Sequence, residues 1–149
     1  MKASDSAASL IKTFEGLMTT AYKCPANKWT IGYGHTAGVK AGDVITKDEA
    51  SIYLNADLKS FSKELTRALD AAEIEVTQNQ FDGLICFAYN VGITALVKST
   101  LWEKLAVNDI EGAAAQFERW NKVNMGGRMV ESKGLTRRRD AERRLFLAE

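Results

Sequence analysis

Between Gly16 and Gly42 the chain carries no Asp or Glu, and Gly32, Gly34, Gly38 and Gly42 punctuate a run rich in Tyr, Trp, Thr, Ile and Val. Glycines at this spacing break helices and permit tight turns, while β-branched and aromatic residues favour strands, so the span reads as a small sheet with turns. Helical patterns flank it. Ser4 or Asp5 can cap a first helix that carries Leu10, Ile11 and Phe14 and ends near Gly16. Thr46-Lys47-Asp48-Glu49 has the form of a capping box, in which the Thr hydroxyl and the Glu carboxylate each satisfy a free backbone amide. Ile52, Leu54, Leu58, Phe61, Leu65 and Leu69 then follow at helical spacing to about Asp70. A second box, Thr77-Gln78-Asn79-Gln80, precedes Phe81, Leu84, Ile85 and Ala88, and Gly92 ends that helix. Further helices are expected over 94–106, 109–121 and about 135–148, with loops at the Asn, Gly and Ser clusters.

The predicted architecture is α+β and predominantly helical, a single domain over 1–149. A β-rich lobe over about 16–45 is joined by the long helix to a helical lobe over 75–149, and a groove between them would suit an extended ligand.

Composition removes several functional classes. A single His, His35, and two distant cysteines, Cys24 and Cys86, supply neither a Cys/His zinc cluster nor a CxxC or HExxH spacing, so neither metal nor cofactor is expected. A net charge of +1 lacks the basic balance of a nucleic-acid binder. The apolar run over 7–11 is too short for a signal or anchor, so no membrane insertion is expected, and a reduced, cytoplasmic state suits the lone thiols. The near-neutral total hides a local excess: residues 128–144 hold seven basic and three acidic side chains, a net +4 that would attract an anionic polymer.

Glu15, at the end of the first helix, faces the acid-free span. A carboxyl there is partly desolvated and without an acidic neighbour in sequence, a setting that suits a general acid, although a lone helix-end Glu is also an ordinary surface residue. Cys24 lies nine positions on and Thr30 fifteen, the latter within Thr30-Ile31-Gly32-Tyr33-Gly34-His35-Thr36.

This arrangement resembles the catalytic region of phage-type lysozymes, glycoside hydrolase family 24, in which a helix-end Glu-Gly precedes a small sheet bearing an acid and then Thr-Ile-Gly-x-Gly-His. Thr77-Gln78-x-Gln80-Phe81-Asp82, Phe87-Ala88-Tyr89-Asn90-Val91-Gly92, Ser99-Thr100-Leu101 and Gly134-Leu135-x-Arg137-Arg138-Arg139-x-Ala141-Glu142 look like its later blocks, so the likeness covers nearly the whole chain. The resemblance implies a monomeric endolysin that hydrolyses the β-1,4 bond between N-acetylmuramic acid and N-acetylglucosamine in bacterial peptidoglycan. It also implies storage in the host cytoplasm until release to the cell wall.

Carried over residue by residue, the resemblance makes Glu15 the general acid and Thr30 a hydroxyl that holds the attacking water. Cys24 stands where the family usually has an Asp. Three readings of it stay open: a group that orients water with Thr30, a thiolate nucleophile, or a small residue without a catalytic part. Gly34, Thr36, Asn90 and Ser99 become candidate sugar contacts, and Arg137 the expected partner of Glu15. His35 is assigned a hydrogen-bonding or salt-bridging role outside catalysis. Two rival functions remain at this stage: a lytic transglycosylase using Glu15 alone and forming 1,6-anhydro products, and a non-catalytic peptidoglycan-binding module.

Overall fold

Thr46 and Thr77 each begin a helix as the capping-box pattern requires. In a computed structural model describing residues 1–149, the Thr46 hydroxyl accepts from the Glu49 amide and the Glu49 carboxylate from the Thr46 amide, both at 3.1 Å. Thr77 and Gln80 repeat the exchange at 2.9 and 3.1 Å. The first box opens α2 (Lys47–Ala71), 25 residues whose Ala50, Leu54, Leu58, Ser62, Leu65 and Leu69 form one buried stripe. The second opens α3 (Gln78–Val91), in which Phe81 through Ala88 are all buried, the pattern of a helix enclosed on every side. Around α3 pack α1 (Asp5–Glu15), α2 and the last helix, α7 (Lys133–Leu147). The core is continuous, from Ala7 and Ile11 of α1 through α3 to Phe117 and Phe146. Asp82, fully buried on α3, accepts from the Ser4 amide and hydroxyl and so fixes the start of α1 on the core.

The small lobe stands where the acid-free span placed it. β1 (Met18–Lys23) pairs antiparallel with β2 (Trp29–Gly32), with a register irregularity between Met18 and Tyr22. The other edge of β1 is covered by residues 43–45: Ala21 donates to Asp43 and Ile45 to Thr19, both at 2.9 Å. The chain then enters α2, which carries it to the helical lobe. No helix is long and apolar enough to cross a membrane.

Four features differ from the sequence reading. The helix expected over 94–106 is two, α4 (Ile93–Val97) and α5 (Thr100–Ala106), because the Ser99 hydroxyl donates to Leu96 O at 2.6 Å and accepts from the Trp102 amide at 3.2 Å. One side chain thus closes one helix and caps the next. The segment over 109–121 is α6 (Ile110–Gln116), capped by Asp109, followed by a 3-10 turn (Phe117–Trp120). The loop expected before α7 is a hairpin, β3 (Lys122–Met125) with β4 (Arg128–Glu131), all eight residues exposed. Gly126 and Gly127 turn it with φ of 62° and 92°, the two-glycine signature of a tight hairpin. α7 itself begins two residues earlier than expected because Ser132 caps it.

Candidate active site

Glu15 is the last residue of α1, which Gly16 ends with φ 71°. Its side chain is 22% exposed and sits at the junction of three elements. One carboxylate oxygen, Oε2, accepts from Nη1 of Arg138 on α7. The other, Oε1, faces Gly34 so closely that a Cβ added there would stand 2.8 Å from it. Gly34 has φ 92°, so both its backbone conformation and its lack of a side chain are required.

Arg138 belongs to a buried ionic network. Its Nε donates to Glu142 Oε2 at 3.0 Å and its Nη2 to the Cys86 carbonyl at 3.0 Å. Glu142, fully buried, shares its other oxygen with Arg139, which also reaches the Trp120 carbonyl at 2.8 Å and the Asn90 side-chain oxygen. Burial opposes charge on Arg138, but the carboxylates of Glu142 and Glu15 outweigh it and hold the guanidinium above its ordinary range. Burial pushes the Glu142 carboxyl up in spite of the two arginines.

The expected partner, Arg137, is exposed and does not meet Glu15. Successive helical residues point about 100° apart, since a turn takes 3.6 residues. Arg137 therefore faces a cavity of about 480 Å³ between α6 and α7, which Glu111, Glu118 and Arg143 also line. The signal that identifies Arg138 is present in the sequence: Arg138, Glu142 and Phe146 recur at i, i+4, i+8 and form the buried stripe of α7.

On the small lobe, Cys24 follows β1 and is half-buried. Its amide donates to Lys28 O at 2.9 Å, and its carbonyl accepts from Asn27, whose φ of 62° closes the turn. Hydrogen bonds from the Lys28 backbone and then from the Thr30 side chain pull the Cys24 thiol below its ordinary pKa. Thr30, buried in β2, has its Oγ1 3.0 Å from Lys28 O. A hydroxyl has one proton, so it serves either that carbonyl or the sulfur. On β1, burial first, then the charges of Glu15 and Cys24, raise the phenol of Tyr22.

The other candidates separate. Asn90 is exposed at the end of α3 with its oxygen taken by Arg139, so its NH2 group remains for a ligand. Thr36 is exposed immediately after His35. Ser99, expected to bind sugar, is buried, and its hydroxyl is committed to the α4–α5 junction as both donor and acceptor. His35 bonds through Nδ1 to Asp57 at 2.8 Å and stacks on Tyr53 at 4.7 Å, in keeping with the hydrogen-bonding or salt-bridging role expected of it. Trp102 and Phe117 are buried and Trp120 packs edge-on against Phe87. Cys86 is buried and unpaired, and burial raises its thiol pKa. No group of three or more His, Cys, Asp or Glu is placed to hold a metal ion.

The sequence profile of the phage lysozyme family matches residues 12–142, a span that contains Glu15, Cys24, Thr30, Gly34, Asn90, Arg138 and Glu142. The chain belongs to that family. An endolysin of Acyrthosiphon pisum secondary endosymbiont phage 1 is 40% identical over 146 residues, 98% of each chain. An endolysin of Bacillus phage B103 is 43% identical over 150 residues, which are 99% of this chain but 54% of that longer protein. The muramidase domain of SpmX from Asticaccaulis excentricus superposes with a TM-score of 0.90 at 34% identity, covering 99% of both chains. As a phage lysozyme family member the chain is a lysozyme-type glycoside hydrolase with endolysin or muramidase function, on the α+β, lysozyme-like fold expected from its sequence.

Proposed function

We propose that the protein hydrolyses the β-1,4 bond between N-acetylmuramic acid and N-acetylglucosamine of bacterial peptidoglycan, acting as a monomer once released from the host cytoplasm. The observation that carries the reading is the setting of Glu15. One oxygen is clasped by Arg138 and the other, Oε1, is left open beneath a glycine, at the junction of the two lobes.

In this reading Glu15 gives a proton from Oε1 to the departing glycosidic oxygen. Arg138 fixes the carboxyl from behind so that the other oxygen stays aimed at substrate. Water attacks from the opposite face of the sugar, held by Cys24 and Thr30. This is the inverting geometry, in which a second group spaced from the acid leaves room for water. The lowered thiol pKa supports Cys24 as an acceptor for a water proton, with the Thr30 hydroxyl as donor to the sulfur. Gly34, Thr36 and the free NH2 group of Asn90 are the sugar contacts. Arg137, which the site does not use, adds to the positive field of α7 that draws in an anionic wall.

Two measurements test this on one preparation. Glu15→Gln keeps shape and removes the transferable proton, so clearing of a cell-wall suspension should fall about 10²–10⁴-fold. Mass spectrometry of wild-type products should show ordinary reducing ends. Anhydromuramyl ends would instead assign transglycosylation by Glu15 alone, and binding without any clearing would leave a non-catalytic module.

A further inference from the structure

The turn that carries Gly34 has little stiffness of its own. Ile31 and His35 exchange two backbone hydrogen bonds at 2.9 Å, and between them lie Gly32 and Gly34, both at positive φ. Glycine enters this region without a steric cost but also leaves it easily, so such a turn keeps one shape only when something outside holds it. The position matters because Gly34 lies against Glu15 Oε1.

Two tethers hold the turn. On one side His35 is tied to α2 by Asp57 and Tyr53. On the other, the Tyr89 hydroxyl on α3 donates to the Tyr33 carbonyl at 2.6 Å. The Tyr89 ring packs on Phe61 of α2 at 5.4 Å, and its Cε1 lies 3.5 Å from where a Cβ of residue 34 would stand. It thus touches the turn, α2 and α3 at once. Burial, then the charges of Asp57 and Glu15, keep the phenol protonated and therefore a donor across the neutral range. Packing alone would be satisfied by Phe, and only the hydroxyl hydrogen-bonds to the turn.

We infer that Tyr89 is a positioning residue for the reaction: by holding the Tyr33 carbonyl it keeps Gly34, and the sugar that lies on it, in register with Glu15 Oε1. This rests on Glu15 being the acid. The geometry of proton transfer tolerates little error, and a shift of about 1 Å can cost up to 10²-fold.

The test compares Tyr89→Phe with Phe61→Leu and Glu15→Gln, using soluble glycan-strand oligomers whose disappearance is followed by chromatography. Tyr89→Phe should lower kcat about tenfold while KM moves less than about twofold, because the ring and the binding surface remain. Phe61→Leu loosens the packing beneath the ring but keeps the hydroxyl. It should lower the unfolding midpoint while kcat stays near wild type. A Tyr89→Phe enzyme with wild-type kcat overturns the inference, as does a Phe61→Leu enzyme that loses kcat equally. If Tyr89→Phe is fully active while Glu15→Gln is dead, this inference alone fails. If Glu15→Gln is active, the reading of Glu15 fails and the inference with it.

Discussion

The two sides of the site are built by different means. Behind Glu15 stand Arg138, Glu142 and Arg139, with side chains 4%, 0% and 1% exposed, each charge met by another. Behind Cys24 stand a turn and two hydrogen bonds at the rim of a short sheet. The first side is part of the core, so disturbing it is felt by the whole fold. The second is local, so it can change chemistry without changing stability. The comparison is broken most severely at Glu142. Glu142→Ala leaves Arg138 with Glu15 as its ionic partner and Arg139 with no carboxylate in contact, and removing one partner of a buried ionic group typically costs about 3–5 kcal/mol. Urea unfolding followed by tryptophan fluorescence should show that loss, and a loss under about 1 kcal/mol would mean that the network does not bind α7 to the core.

At Cys24 the expected effect is on rate. Cys24→Ala should reduce lysis about hundredfold with an unchanged unfolding midpoint, whereas Cys24→Asp should keep activity, since a carboxylate also accepts a proton from water. Full activity in Cys24→Ala would remove the thiol from the mechanism. Alkylation by iodoacetamide gives a sharper reading, because the buried Cys86, with its raised pKa, should not react. Hydrogen bonds to the thiolate lower the Cys24 pKa, so its rate should climb with pH through a midpoint below the ordinary thiol value of about 8.5. Thr30→Val removes one of those bonds and should move the midpoint up. A profile matching free cysteine in both proteins would count against the Cys24–Thr30 pair.

Between the two sides lies Gly34, where Gly34→Ala should cost about 1–2 kcal/mol from the positive φ alone. The added Cβ would also press on Glu15 Oε1, so lysis should fall by more than the stability loss explains. If activity tracks only the fraction folded, Glu15 Oε1 is not the oxygen that meets substrate.

What the sequence made legible follows the same division. Capping boxes at Thr46 and Thr77, the buried stripe of α2 and the acid-free lobe are local patterns, and each appears where expected. Position within a lobe was also readable: Glu15 ends its helix and His35 finds a hydrogen-bond partner in Asp57. The misses are of two kinds. Ser99 and the 3-10 turn at Phe117 break helices whose apolar spacing continues across the break, so periodicity alone joins them. The choice of Arg137 over Arg138 depends on which face of α7 is inside, which the recurrence of Glu142 and Phe146 encodes but a basic run of three conceals. Tyr89 lies within the Phe87–Gly92 motif, yet its contact with Tyr33 spans 56 residues and no spacing rule reaches that far.

The smallest expected effect separates the two lobes by salt. In a buffer acidic enough to protonate the imidazole, His35–Asp57 is an ionic contact like those of Glu142, but its partners are 14% and 24% exposed. Asp57→Asn keeps an oxygen for the bond and removes the charge, so the loss should be about 0.5–1 kcal/mol. Ions reach this pair, and at 1 M salt the screening length is about 3 Å, so most of the difference from wild type should vanish there. The Glu142→Ala penalty, arising where neither water nor ions enter, should persist in the same buffer. Equal salt sensitivity in both variants would show that the α7 network is as open to solvent as the rim of the small lobe, and the contrast between the two sides of the site would then fail.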